Sequence, residues 1–407
     1  MHGLVVLDKD DSVIRPCILW NDGRTGEETA YLNTALGKEK LSALTANIAF
    51  AGFTAPKLLW LKKNEPENFA KIAKIMLPKD YLSYMLTGVS ATDYSDASGM
   101  LLLDVKNKCW SEEMCSICSI DSSLLPKLYE SFDVIGKVRP EYGLPDCIVT
   151  AGAGDNAAAA IGTGTINDGD CNISLGTSGT VFISQDEFSV DPENALHSFC
   201  HANGRYHLMG CILSAASCNK WWIEDILGSS DYENAAKGAD MNNNIYFLPY
   251  LMGERSPHND VNARGAFIGM RPDTAKEDLS LAVQEGVTFA LRDCVEIARR
   301  NGLSITSVNL CGGGARSKTW QQLIADILNV DVYMTTDQGP AYGAAILAMV
   351  GAGEYDSLDA AAGNIIRRKQ VARPVSGNVD LYNKKYEIWG TLYPALKDSF
   401  RKMAETV

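Results

Sequence analysis

In the second half of this chain, strands come first and afterwards alternate with helices, and that order restricts the fold more than any other feature. Residues 171–175 and 180–184 are β-prone apolar runs joined by Gly176-Thr-Ser-Gly179, which reads as a hairpin. A third strand follows over 206–211, and a helix begins near Ser214 and runs through Trp221, Trp222 and Ile223. Residues 279–299 place apolar side chains at helical spacing. Strand 307–311, helix 317–328, strand 330–334 and helix 341–350 then alternate. Hairpins followed by strand–helix alternation imply an α/β fold with a mixed sheet and helices on its faces.

The first half follows a different course. It opens on a strand over 3–7, turns through Asp8-Lys-Asp-Asp11 and continues over 13–20. A mostly helical stretch over 25–125 is expected next, and then a strand over 147–150 running into a turn at Asp155. At 407 residues the chain is too long for one small core. Two domains are therefore expected, 1–164 and 165–407, with the boundary in the glycine-rich segment 162–169.

Composition narrows the function classes. A net charge of −13 argues against a nucleic-acid face, because phosphate contacts need clustered Lys and Arg. No apolar run approaches the roughly eighteen residues that a membrane span requires. The first residues carry neither a basic n-region nor a cleavage site. The 11 Cys are scattered and odd in number, which suits free thiols in a reducing compartment, so a cytoplasmic protein is expected. The one tight pair, Cys115-Ser-Ile-Cys118, has no second pair to complete a zinc site and reads as two thiols packed on a short helix.

Three segments carry candidate chemistry. Asp155 lies between the strand 147–150 and the small-residue run Asn156-Ala-Ala-Ala-Ala-Ile161, where glycines let a ligand approach the backbone. A carboxylate there can take a proton from an attacking hydroxyl. An N-cap aspartate at a helix start is the alternative, and a helix N-terminus would keep the group ionised with a low pKa. Gly176-Thr177-Ser178-Gly179 can turn backbone N–H groups and hydroxyls toward phosphate oxygens, although tight hairpins use the same residues for local reasons. Leu310-Cys-Gly312-Gly313-Gly314-Ala315 follows a strand and precedes a helix, where a nucleotide can reach the backbone. Neither the dinucleotide nor the Walker glycine signature occurs.

With these motifs in this order, the chain resembles the FGGY carbohydrate kinase family. Matching segments in the first half include Met1-His-Gly3, Ile18-Leu-Trp-Asn-Asp-Gly-Arg24, Gly52-Phe-Thr-Ala-Pro-Lys-Leu-Leu-Trp60, Leu77-Pro-Lys-Asp-Tyr81, Ser95-Asp-Ala-Ser98 and Gly154-Asp-Asn-Ala157. The second half adds Ser174-Leu-Gly-Thr-Ser-Gly179, His197-Ser-Phe-Cys-His201, Leu213-Ser-Ala-Ala-Ser217, Phe247-Leu-Pro-Tyr250, Gly253-Glu-Arg-Ser-Pro-His-Asn259 and Gly312-Gly-Gly-Ala-Arg-Ser317. The resemblance runs essentially end to end.

It implies two actin-like (ribonuclease H-like) domains flanking a cleft, an ATP-dependent sugar kinase using Mg2+, and a homodimer as one expected assembly. D-Xylulose is the implied acceptor; ribulose, gluconate or another polyol, or a non-catalytic sugar- or nucleotide-binding module, are the alternatives. Asp155 matches the family's base. Met1, His2 and Asn156 match its sugar contacts, and Trp20, Asp22 and Arg24 are implied near the sugar, a strand end with a helix cap being the plain alternative. Gly176, Thr177 and Ser178 match a phosphate motif. Gly313, Gly314 and Ala315 match the adenosine motif, with Ala215 in the adenine wall; no metal ligand is identified. The family's N-terminal Asp-x-Gly-Thr hairpin has no counterpart, and Met1 coincides with an internal methionine of the family. The first domain is thus expected to be incomplete at its N-terminus through a misplaced start or a truncation, with turnover crippled or lost.

Overall fold

The computed structural model describes residues 1–144, 146–336 and 339–406. The chain divides into two compact units. The first comprises Met1–Ile166, Gln185–His207 and Asp337–Ile366, and the second Asn167–Ser184, Leu208–Thr336 and Arg367–Val407.

The second unit is built on the mixed sheet expected from the alternation. Neighbouring strands run in the order Tyr206–Ile212, Gly179–Gln185, Cys171–Leu175, Ser307–Cys311, Asp331–Thr335 and Arg368–Ala372. The hairpin pairs Leu175 with Gly179 and Ile173 with Val181. Cys171–Leu175 runs parallel to Ser307–Cys311, which runs parallel to Asp331–Thr335. Helix Lys276–Arg300 starts where Asp278 accepts the Ala275 N–H at 3.1 Å, and its inner face is buried over most of its length. Its polar positions are tied to neighbours: Trp222 Nε1 donates to Ser280 Oγ at 2.8 Å and Trp320 Nε1 to Thr288 Oγ1 at 2.9 Å. The expected helix from Ser214 is an α-helical stretch, Ala216–Lys220, that continues as a π-helical one, Trp221–Ile226. Beyond residue 350 lie helix Leu358–Ile365, strand Arg368–Ala372 and the long helix Ser376–Glu405, none of which the motifs had marked.

The first unit holds more strand than expected. Helices Thr54–Asn64 and Pro78–Thr87 are present within 25–125, but so are Lys74–Met76, Ala91–Asp93, Leu103–Asp104 and Cys109–Trp110. Strands of two or three residues are too short to show an alternating pattern, so the periodicity of the flanking helices masks them. Val5–Leu7 pairs antiparallel with Lys74–Met76, and Ala91–Asp93 parallel with Lys127–Tyr129. Val5, Leu7, Met76 and Tyr84 form one apolar cluster, and Ala91, Ile135 and Ala151 another beneath the strand that leads to Asp155. Cys115 and Cys118 are buried thiols, pushed up to about 12 by burial.

Helix Asp155–Gly162 is clamped by helix Pro340–Gly351, also in the first unit. Two glycines let the backbones touch. A Cβ on Gly162 would lie 2.8 Å from the Gly339 carbonyl oxygen, and one on Gly343 would run into the Ala158 carbonyl. Backbone cannot step aside as a side chain can. Gly343→Val is therefore expected to destabilise the protein by about 3 kcal/mol or more, measured by urea denaturation, as overpacking of a closed interface does.

Candidate active site

Strand Ile148–Thr150 delivers the chain to a turn over 151–154, and helix Asp155–Gly162 begins there. Gly154, at φ −58° and ψ 146°, occupies the N-cap position, so Asp155 is the first helical residue and not the cap. Its Oδ1 accepts the Asn156 side-chain amide at 3.1 Å. The carboxyl pKa is raised, chiefly by burial, with Asp96 adding to it and the Asn156 backbone N–H opposing. The low value expected from the helix terminus is thus overturned: crowding by protein outweighs the dipole, even though Asp155 keeps a surface open to solvent.

A buried polar network holds this turn. The Gly154 N–H donates to Ser95 Oγ at 3.0 Å, and Ser95 Oγ donates to Asp93. Asp93 also accepts from Ser131 Oγ at 3.0 Å and the Ser95 N–H at 2.8 Å. Lys79 Nζ bridges Asp80 at 2.7 Å and Asp93 at 2.8 Å, and reaches the Ala151 carbonyl at 3.3 Å. Burial, reinforced by Asp96 and Asp93, lifts the Asp80 carboxyl to about 6 against the pull of Lys79. Lys79 shows the opposite balance: burial lowers its pKa, but the surrounding carboxylates prevail and raise it. The motif residues 77–81 and 95–98 therefore form the support of the Asp155 turn.

Met1 and His2 come to the same turn. A Cβ on Gly154 would lie 3.0 Å from Met1 Sδ. His2 is buried, with Nδ1 at 3.1 Å from Asp96 Oδ1 in an ion-pair contact. Its carbonyl accepts from Lys57 Nζ at 2.7 Å and Thr54 Oγ1 at 3.2 Å. Lys57 Nζ also reaches the Gly52 carbonyl at 2.5 Å, and burial lowers this ammonium to about 8. Asp22 and Arg24 pair with each other, Arg24 Nη2 to Asp22 Oδ2 at 2.7 Å, while Asp22 caps the turn at Gly23–Thr25 and Arg24 stacks over Trp60. Trp20 is exposed. For Asp22 and Arg24 the geometry matches the plain helix-cap reading.

The second unit carries a cavity of about 800 Å³. Gly176 and Thr177 line it from the hairpin, Ala216 and Ser217 from one helix, and Gly313 and Gly314 from the glycine turn. Its geometry is fixed by backbone: the Ala216 N–H donates to the Gly176 carbonyl and the Ala215 N–H to the Thr177 carbonyl, both at 2.9 Å. Gly312 sits at φ +90°, where a Cβ would come within 2.6 Å of the Leu175 carbonyl oxygen, so only glycine fits that turn. Ala215 and Ala315 are fully buried and support the cavity from behind, and Ser178 lies outside its lining. Sequence reading missed Asn219, a buried cavity residue whose Oδ1 has no partner among the described residues. It stands just after the recognised segment 213–217, on the same helix, which is the signal that could have found it. Among the described residues no group of three His, Cys, Asp or Glu side chains could hold a metal ion, and no helix is long and apolar enough to cross a membrane.

Comparison with known proteins finds two family domains along the chain. Residues 1–162 match the model of the FGGY family of carbohydrate kinases, N-terminal domain, and residues 171–352 that of its C-terminal domain. The chain is 43% identical to the xylulose kinase of Escherichia coli K12 over 369 residues, covering 88% of this chain and 76% of that one. A xylulose kinase structure from Brucella ovis superposes with a TM-score of 0.92 at 39% identity, covering 98% of this chain and 83% of that one. A gluconate kinase from Lactobacillus acidophilus superposes at 0.94 with 28% identity, covering 99% and 84%.

Proposed function

The chain belongs to the FGGY family of carbohydrate kinases, and we propose that it transfers the γ-phosphoryl group of ATP to D-xylulose, giving D-xylulose 5-phosphate. The observation that carries this reading is the convergence of Met1, His2 and Asp155 on one turn, in a chain whose relatives at about 40% identity are named xylulose kinases.

The residues divide the work by chemistry. The sugar is held at the Asp155 turn by Met1, His2 and Asn156. Asp155 accepts the C5 hydroxyl proton as that oxygen attacks the γ-phosphorus. The bond to the bridging oxygen breaks, and its electron pair leaves with ADP. A carboxyl raised above its ordinary pKa is the better proton acceptor, provided it is ionised at the working pH. Phosphoryl transfer otherwise depends on positioning and charge stabilisation. Gly176 and Thr177 offer backbone N–H groups and a hydroxyl to phosphate oxygens, and Asn219 offers the nucleotide an oxygen that is unpaired among the described residues. Mg2+ travels with such nucleotides, held largely by phosphate and water. Bound in this way it would offset phosphate charge, and the described residues contain no group of three His, Cys, Asp or Glu side chains that could hold it by themselves. The free cysteines fit a reducing compartment, and we place the protein in the cytoplasm.

An acceptor panel tests the reading. ADP release from ATP is followed with D-xylulose, D-ribulose, D-gluconate and glycerol, and D-xylulose is expected to give the highest kcat/KM. A preference for gluconate, as the structural likeness to a gluconate kinase would allow, overturns the acceptor. Thermal stabilisation by D-xylulose without ADP release under any condition overturns catalysis and leaves a sugar-binding module.

A further inference from the structure

We propose that Asp96 and Gly99 are positioning residues for sugar recognition, which together lock the His2 ring so that one edge is fixed on protein and Nε2 is left for a sugar hydroxyl. The proposal rests on the reading above that His2 meets the sugar.

His2 is held in a conformation it would not adopt unaided. Its backbone lies at φ +52°, in the left-handed region that non-glycine residues rarely occupy. Lys57 and Thr54 tether its carbonyl, and its own N–H reaches Asp96 Oδ1 at 3.4 Å. The same carboxylate oxygen faces Nδ1 at 3.1 Å, so both the backbone and the ring are referred to one acceptor. Asp96 is 1% exposed. Burial would raise its carboxyl, but His2 and Lys79 overcome that and hold it at about 2, so it stays a carboxylate. A carboxylate facing Nδ1 favours a proton on that nitrogen. Nδ1 meets this carboxylate as a close ion-pair contact without regular hydrogen-bond geometry, and Nε2 makes no hydrogen bond among the described residues.

Gly99 supplies the remaining constraint. It lies in the buried turn Ser98–Met100, directly after the helix that carries Asp96. It is not among the glycines with positive φ, so its backbone conformation is open to any residue. What excludes a side chain is His2: a Cβ on Gly99 would overlap the imidazole ring at Cε1 and Nδ1 and crowd Nε2 as well, so a side chain here would both displace the ring and cover the nitrogen meant for the sugar. Phe53 and Phe199 close the ring from other sides in edge contacts, with centroids at 5.7 and 6.2 Å. The imidazole therefore has no lateral room, and its orientation is set by Asp96 on one edge and by the absent side chain of Gly99 on its face.

The test is a mutant cycle read by D-xylulose titration calorimetry, with melting temperature and 15N resonances of the His2 ring as parallel measurements. His2→Ala weakens D-xylulose binding by about tenfold, the loss of one directed hydrogen bond. Gly99→Ala and Asp96→Asn each weaken it to a similar extent, and both change the His2 ring resonances. Adding Gly99→Ala to His2→Ala costs less than about twofold more, because the ring that met the new methyl group is gone. Should Gly99→Ala fail to fold alone, the double variant regains folding. Gly377→Ala, where a Cβ meets nothing within 4 Å, leaves binding unchanged. Wild-type binding by Gly99→Ala, or an equal Gly99→Ala penalty with and without His2, overturns the positioning role while the sugar reading stands. Wild-type binding by His2→Ala overturns both.

Discussion

Asp155→Asn is expected to lower the rate of phosphoryl transfer to D-xylulose by about 10²–10⁴-fold, the range a positioned general base contributes, while the protein is at least as stable as the wild type. The pairing of the two results is the point. A capping aspartate replaced by a residue that cannot cap costs about 0.5–2 kcal/mol of stability. Here Gly154 holds the N-cap, so the carboxylate does no capping. An asparagine keeps an oxygen for the Asn156 amide that Asp155 now accepts at 3.1 Å. The sign of the charge effect agrees. Burial raises the folded-state pKa of Asp155, so its contribution to stability is full below the unfolded value and is lost as pH rises through the folded one. Removing the charge therefore relieves the folded state at neutral pH. In the wild type, kcat/KM should rise with pH as this carboxyl ionises, above the ordinary aspartate range, and that limb should vanish in the variant. Unchanged turnover with a lowered melting temperature would return Asp155 to a structural role.

What could be read in the sequence was what repeats locally. The hairpin at 171–185 and the strand–helix alternation after residue 307 follow from periodicity and turn residues a few positions apart, and the sheet has them. The short strands within 25–125 did not show, because three residues carry no period. Asp155 was recognisable as a candidate, but base and cap were indistinguishable until Gly154 was seen in the cap position. The pKa expectation failed for a related reason: the helix dipole is local and legible, whereas desolvation depends on what the rest of the unit packs nearby. The support of the site was invisible for the same cause. His2 and Asp96 are 94 residues apart, and Gly154 and Ser95 are 59 apart. Segments 77–81 and 95–98 stood out as motifs, yet nothing in them said that Lys79 would reach Asp93. In the second unit Ala215 and Ala315, which match the nucleotide motifs, are fully buried, and their neighbours line the cavity.

Lys79→Met is the substitution expected to cost the fold most, about 3–5 kcal/mol at pH 8, the typical result of removing one partner from a buried ion pair. Methionine fills similar space, so the loss is electrostatic. Lys79 is the cation that bridges Asp80 and Asp93, whose side chains are 1% and 0% exposed. With it gone, Asp80 and Asp93 keep their hydrogen bonds but lose their cation, and the tie to the Ala151 carbonyl is lost as well. The least costly response is to take up protons, which makes the penalty depend on pH. Asp80 already has a folded value of about 6, above its unfolded one, with Lys79 present. Its contribution is therefore full below about pH 4 and is lost as pH rises through 6. Asp96, depressed to about 2, works oppositely, losing its contribution only as pH falls toward that value. Between these ranges the variant can neutralise Asp80 and recover much of its deficit. Urea denaturation at pH 5 and pH 8 should show a gap from wild type that widens with pH. A gap that is equal at both, or below about 1 kcal/mol throughout, would mean that the carboxylates are not what Lys79 balances. Because Asp93 holds Ser95 and Ser95 holds the Gly154 N–H, D-xylulose affinity should fall in step with the widening gap.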